Sequence, residues 1–137
     1  MNEPVSTIMT TNLITASPEV TLDKIRDIFK SRKIHHLPIT KNGHIVGLVT
    51  TSDLMWLNRP FEEYNKIKAK SVMTTRIAKM GPHDKIGAAA DIFLRNWFHA
   101  IPIVDDEDKL VGLITSFDII KYAYAKAYPD DPVNYLT

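Results

Sequence analysis

Two short stretches carry the side chains best suited to chemistry: Thr50, Thr51, Ser52 and Asp53, and Thr115, Ser116, Phe117 and Asp118. Each follows an apolar run of strand character and precedes a helical pattern. A strand feeding a helix leaves the first backbone N–H groups unpaired and pointing outward. With the helix dipole, these groups favour an anion, phosphate above all. Thr50 and Thr115 add a hydroxyl able to bond a phosphate or sugar oxygen. Asp53 and Asp118, in the first helical turn, are poor neighbours for phosphate but good acceptors for two vicinal hydroxyls, as on ribose. Thr and Asp at this spacing therefore suit a nucleoside phosphate. The same pair also describes ordinary helix capping, worth about 0.5–2 kcal/mol. For one such motif standing alone capping is the simpler reading, and a duplication would copy caps as well.

The histidines offer less. His35 and His36 are adjacent on an extended segment and point to opposite faces, which does not suit chelation of one metal. His99 repeats His35, while His44 and His83 fall in turns; a structural or surface role is the simplest reading of each. Trp97 and Phe98 read as core or interface residues. No Walker loop, Gly-x-Gly-x-x-Gly, Gly-x-Ser-x-Gly or His-Glu-x-x-His motif is present. With no cysteine there is no thiol nucleophile either, so the chain does not read as an enzyme.

The elements that must position these residues come in two copies. Residues 8–55 lie over residues 72–120, with one extra residue in the acidic turn before Lys109. Met-Thr-Thr recurs at 9–11 and 73–75, Pro at 18 and 82, and Asp-Ile-Phe at 27–29 and 91–93. His-x-x-Pro-Ile recurs at 35–39 and 99–103, and Val-Gly-Leu-x-Thr-x-x-Asp at 46–53 and 111–118. In each copy a short strand (13–15, 77–79) stops at a turn containing proline. A helix follows, with Leu22, Ile25, Ile28 and Phe29 on one face of the first and Ile86, Ala90, Phe93 and Trp97 on one face of the second. A hairpin comes next (37–40 with 45–50, and 101–104 with 110–115), turning at Asn42-Gly43 and at the Asp105–Asp108 run. A second helix begins near Ser52 or Phe117. Pro38 and Pro102, inside strands, mark an edge or distorted strand.

The fold class is thus α+β, two pseudo-symmetric β-α-β-β-α units packed through their sheets. The expected divisions are a first repeat at 1–60, a linker at 61–70, a second repeat at 71–128 and a frayed tail at 129–137. A copy of about sixty residues buries too little surface to be comfortable alone, so the two share one body.

Composition narrows the partners. Of 137 residues, 17 are Lys or Arg and 16 Asp or Glu, with no long block of either sign, which argues against nucleic-acid binding. No apolar run approaches the roughly 20 residues that span a bilayer, and no signal peptide opens the chain. The lack of cysteine fits a reducing cytoplasm, the expected location.

The ordered repeat, the paired His-x-x-Pro-Ile and the two Gly-h-h-Thr-x-x-Asp endings resemble a tandem pair of cystathionine-β-synthase (CBS) domains, the Bateman module. The resemblance covers residues 5 to about 124. It implies that Asp53 and Asp118 hold ribose hydroxyls, with the Thr and Ser positions near adenosine or phosphate. One cleft would combine Thr50, Ser52, Asp53 and His36 with Gly81, Ile86, Phe98 and His99. The other would combine Thr115, Asp118 and Ala100 with Ser17, Leu22, Ile34 and His35. Leu22, Ile34, Ile86 and Phe98 would sandwich a purine, and backbone near Ala16 and Met80 would read its edge. Where relatives often carry a basic residue two before the proline, the first repeat has His36 and the second Ala100. Phe117 also replaces the hydroxyl of Ser52, so the Asp53 cleft is the better phosphate site.

The function this implies is regulatory: the module senses an adenine nucleotide or adenosyl compound (AMP-, ADP- or ATP-like) between the repeats and passes the change to an effector protein on a separate chain. It requires no cofactor and binds no metal. The alternative is a module with empty or vestigial clefts that acts by homodimerising or docking, through Met55, Trp56, Leu57, Ile120 and Tyr124. Packing between the repeats would explain those five residues equally well.

Overall fold

Each copy builds one antiparallel hairpin flanked by two helices. A computed structural model describes residues 1–131; of the expected tail at 129–137, residues 132–137 lie outside the described residues. In chain order the elements are α1 (Leu22–Arg32), β1 (His36–Lys41), β2 (His44–Thr50), α2 (Thr51–Trp56), α3 (Ile86–Arg95), β3 (Ala100–Val104), β4 (Leu110–Thr115) and α4 (Ser116–Ala127). Short 3-10 turns lie at Val5–Thr7, Phe61–Lys66 and Ala69–Ser71. β1 pairs with β2 and β3 with β4, each with a bulge, at Ile39/Thr40 and at Ile103/Val104. The first hairpin turns through Asn42 and Gly43 at φ 54° and 82°, the left-handed pair that a two-residue turn requires.

The expected opening strand of each copy is reduced to a single parallel bridge, Ala16 to Ile39 and Met80 to Ile103. The prolines explain this. Ala16 donates to the Pro38 carbonyl (3.1 Å) and accepts from the Thr40 N–H (2.9 Å); Met80 does the same with Pro102 (3.1 Å) and Val104 (2.9 Å). The next rung back would need an N–H from Pro38 or Pro102, which has none, so the ladder stops after one step.

The helices bury the faces that periodicity marks, except at Ala90, where the neighbouring Ala89 enters the core instead, and at Trp97. Leu22, Ile25 and Phe29 of α1 enter the first core with Leu37, Ile39 and Val49. Ile86 and Ala89 of α3 enter the second with Ile101, Ile103 and Ile114. Trp97 does not join the α3 face: the helix ends at Arg95, Asn96 turns extended, and Trp97 is 97% exposed.

The packing unit is not the sequence unit. Val5, just ahead of the first copy, and Ile8 and Met9, at its start, pack into the core of the second. Tyr64, Ala69, Val72 and Met73, from the connection and the start of the second copy, pack into the core of the first. The arms attach by equivalent bonds. Ile86 at the head of α3 donates to Glu3 O, and Leu22 at the head of α1 to Ile67 O, both 2.9 Å. Thr10 then bridges Leu113, and Thr74 bridges Leu48. Beside these bridges Met9 lies on Gly112 and Met73 on Gly47, where no side chain keeps the arms away. The two hairpin tips also meet, Leu110 N–H donating to Gly43 O at 3.0 Å and Lys109 Nζ to Asn42 O at 2.7 Å.

Candidate functional site

Both strand-to-helix joints are complete capping boxes. Thr50 N–H donates to Asp53 Oδ2 (2.8 Å), and Asp53 N–H to Thr50 Oγ1 (3.2 Å). Thr115 N–H donates to Asp118 Oδ2 (2.8 Å), and Asp118 N–H to Thr115 Oγ1 (3.3 Å). The first helical N–H of each is also taken, Thr51 by His35 O (3.1 Å) and Ser116 by His99 O (3.0 Å). No more than one of the first three N–H groups at either helix is left for an anion, fewer than an open helix end would offer.

The copies then diverge. Asp118 is buried, 6% exposed, and fully engaged: Thr115 Oγ1 also donates to its Oδ2 (3.0 Å), and Lys121 Nζ pairs with its Oδ1 at 3.1 Å. Asp53 is half-buried, and its Oδ1 has no hydrogen-bond partner among the described residues. The position equivalent to Lys121 is Trp56, which carries no charge.

A cleft of about 480 Å³ opens at the first joint. It brings together five residues expected there: His36, Thr50, Ser52, Phe98 and His99. Asp53 lies one residue beyond its wall. His35 and Ala100, assigned from sequence to the other cleft, line this one, as does Trp97. A second cleft, also about 480 Å³, opens at the other joint between Thr115–Phe117 and Lys33–His36. It holds Thr115, Ile34 and His35 as expected, and shares His35, His36 and His99 with the first.

Other expected residues lie elsewhere. Leu22 and Ile86 are 0% exposed at the centres of their cores and present no surface to a purine. Asp118 borders neither cleft but a shallow groove with Lys121, Tyr122 and Lys126 on α4. Ser17 is exposed and accepts from Glu19 N–H (3.3 Å) in the turn before α1. Gly81 donates to Asp84 Oδ2 (2.8 Å) in the corresponding turn before α3. Sequence reasoning missed Lys33 and Trp97 as wall residues. The repeat alignment held a signal for them, since they occupy the same position, just after the first helix of each copy.

Burial holds the His36 imidazole below its ordinary pKa, and the neighbouring His35 and His99 push the same way; Asp53 opposes them. No cluster of three or more His, Asp or Glu side chains among the described residues could hold a metal. No helix among them is long and apolar enough to cross a membrane. The first cleft thus offers hydroxyls, imidazoles and an aromatic wall: groups that bind a polar ring system bearing an anion.

Comparison with known proteins agrees with the fold. The family model of the CBS domain matches the chain twice, over residues 5–57 and 69–125. Protein MJ0188 of Methanocaldococcus jannaschii, itself uncharacterized, is 28% identical over 131 residues, 94% of this chain and 47% of that protein. Inosine-5'-monophosphate dehydrogenase of Bifidobacterium longum is 32% identical over 124 residues, 89% of this chain and 22% of the enzyme. The chain therefore spans half the length of such relatives or less. Among solved structures, the CBS domain pair of protein MJ0100 in complex with 5'-methylthioadenosine and S-adenosyl-L-methionine superposes with TM-score 0.81. It is 25% identical, and the match covers 92% of this chain and 99% of that one. CBSX2 in complex with AMP shares the fold at TM-score 0.81 and 24% identity, over 91% of this chain and 98% of that one.

Proposed function

The chain belongs to the CBS domain family, and from that premise we propose that it is a regulatory module that binds an adenosine-containing ligand in the first cleft. What supports the reading most is that one cleft collects His36, Thr50, Ser52, Phe98 and His99 from both repeats, beside an Asp53 whose Oδ1 is still open. In this reading the purine lies against Phe98 and Trp97, and the ribose hydroxyls reach Asp53 Oδ1. A phosphate, where the ligand carries one, meets the Thr50 and Ser52 hydroxyls and the imidazoles. The adenosyl ligands of the MJ0100 and CBSX2 structures support the ligand class. Because the cleft is built from both repeats, occupancy changes how they sit together only by the difference in affinity between arrangements. That difference is what a separate effector protein would read.

Thermal unfolding with AMP, ADP, ATP, S-adenosylmethionine and 5'-methylthioadenosine tests the proposal. A ligand at a hundred times its Kd stabilises by about 2.7 kcal/mol, which for a domain of this size raises Tm by roughly 5–10 °C. Isothermal titration then ranks the clefts. Asp53→Ala abolishes AMP binding and Asp118→Ala spares it; the reverse result assigns the ligand to the other joint.

A second reading has its own support. Met55 and Trp56 on α2 are 75% and 82% exposed and Ile120 on α4 is 62% exposed, more apolar surface than isolated helices need. These residues suit a homodimer or a docking face, whereas Leu57 packs against the first core. If none of the five ligands raises Tm and the protein sediments as a dimer, the interaction module replaces the ligand sensor.

A further inference from the structure

The first cleft has an unusual charge inventory for a site that takes a phosphate. Its wall holds three imidazoles, His35, His36 and His99, and no Lys, Arg, Asp or Glu. Lys33, at the end of α1, lines the second cleft and not the first. Asp53 is the one carboxylate whose charge bears on His36. The helix behind the joint cannot substitute for a cation. It spans only six residues, and its Thr51 and Asp53 N–H groups are already engaged. A phosphate in this cleft therefore meets no permanent positive charge.

Imidazole is the side chain whose charge changes near neutral pH. We propose that a phosphate-bearing ligand enters the first cleft together with a proton, taken up by His36 with His35 and His99 around it. The inference rests on the reading of the cleft as an adenosyl site and adds the charge class it selects and the condition that sets the selection. His36 is the group that changes state because it sits half-buried where the two clefts share a wall. With the cleft empty, burial and the two neighbouring imidazoles favour its neutral form. A phosphate supplies the opposite charge that reverses this preference. Affinity for a phosphate-bearing ligand then rises as pH falls through neutrality, by up to about tenfold per pH unit for one linked proton. Affinity for an uncharged adenosyl ligand stays level. Acidification thus shifts the cleft towards nucleotides.

The sign of the proton flux, together with the titration of the His36 ring, separates this from the ligand's own chemistry. A phosphate monoester has its second ionisation near pH 6, so a site that simply prefers the dianion releases protons on binding. Net uptake comes either from the protein or from a phosphate bound as its monoanion, and the His36 ring tells the two apart. The experiment is isothermal titration of AMP and adenosine at pH 7.0 into the full chain, repeated in phosphate-free buffers of differing ionisation enthalpy. Uptake approaching one proton per AMP is expected, with none for adenosine. His36→Gln should lose most of the uptake and flatten the pH dependence of AMP affinity. NMR titration of the His36 ring in the unmodified protein, with and without AMP, gives the same answer should the variant fold poorly: AMP should raise the pH at which the ring titrates. AMP binding with no uptake or with release, or a His36 ring that titrates alike in both states, overturns the proposal. Failure of both AMP and adenosine to bind at any pH overturns the adenosyl site itself, and this inference with it.

Discussion

Replacing Gly47 by alanine tests the arm exchange directly. Gly47 lies in β2 opposite Ile39, at the bulge. A Cβ built there would overlap Met73 Sδ outright and lie 2.6 Å from Met73 Cγ and 2.9 Å from its Cβ. The thioether end of a methionine can swing away, but its Cβ follows the backbone. That backbone is pinned on both sides: Met73 N–H donates to Ala69 O (2.9 Å), and Thr74 and Leu48 exchange two bonds of 3.0 Å. A methyl group forced into such a contact costs about 1–3 kcal/mol. Alanine recovers roughly 0.5–1 kcal/mol through its lower backbone entropy in the unfolded chain, so a net loss near 1–2 kcal/mol is expected. Urea unfolding reads this as a midpoint lowered by about 0.5–1 M at an ordinary m-value.

Gly112 is the internal control. Its added Cβ would overlap Met9 Sδ and lie 3.0 Å from Cγ and 3.1 Å from Cε, all atoms beyond the Cβ of a flexible side chain. Gly112→Ala should therefore cost less than Gly47→Ala. Met73→Ala removes the Sδ and Cγ overlaps and leaves only the 2.9 Å Cβ contact, so Gly47→Ala with Met73→Ala should be less destabilising than the sum of the single losses, with a coupling of about 0.5–1 kcal/mol. A Gly47→Ala protein within 0.5 kcal/mol of the parent, or strict additivity with Met73→Ala, would refute the close packing of arm on hairpin.

The two capping aspartates should differ in stability as well as in binding. Asp118→Ala strips two carboxylate bonds and an ion pair from a buried joint and should cost about 2–3 kcal/mol, against about 0.5–2 kcal/mol for Asp53→Ala at a half-exposed cap; equal losses by urea denaturation would count against the distinction. Glu3 ties the first arm to α4, accepting from Tyr122 Oη (2.6 Å) and pairing with Lys126 Nζ (2.9 Å), and first the Tyr122 bond, then Lys126, lowers its pKa to about 2. Since the folded value lies below the ordinary 4.5, Glu3 stabilises fully above pH 4.5 and loses that contribution as pH falls towards 2; Glu3→Gln should have a shallower fall of Tm across that window, and an unchanged slope would argue that the clasp contributes nothing.

Much of this was legible in the chain because a duplication prints each structural requirement twice. The starts of α2 and α4 followed from Thr-x-x-Asp, since a capping box needs those two side chains three residues apart. The hairpins followed from alternation and from Asn42-Gly43. The short opening strand was foreseeable from Pro38 and Pro102, had their missing N–H groups been counted against the neighbouring strand as well as their own. Leu22 and Ile86 were misplaced because an apolar residue at a helix start fits a core and a purine wall equally well; only packing decides. The arm exchange left no local trace. Met-Thr-Thr and Val-Gly-Leu were both visible as repeated motifs, but the pairing of Met9 with Gly112 and Met73 with Gly47 is a tertiary fact. The burial of Asp118 likewise depends on Lys121, one turn further along a helix whose counterpart carries Trp56.

Capping and ligand binding have looked like rival explanations of Thr50 and Asp53, yet they compete for atoms and not for residues. At the first joint capping uses one oxygen of Asp53, the Asp53 N–H and one lone pair of Thr50 Oγ1. The second carboxylate oxygen and the hydroxyl proton remain for a sugar or phosphate. At the second joint the same cap is formed, but the Thr115 hydroxyl proton goes to Asp118 and the second carboxylate oxygen to Lys121. The cap is complete in both copies; the spare valences survive in only one. The Thr-x-x-Asp residue types alone give two equal candidates, whereas a count of unspent donors and acceptors among the described residues favours the first joint. The same count explains why Asp118 can be buried and Asp53 cannot. A carboxylate with both oxygens paired can leave water, while one with an open oxygen must keep either water or a ligand against it.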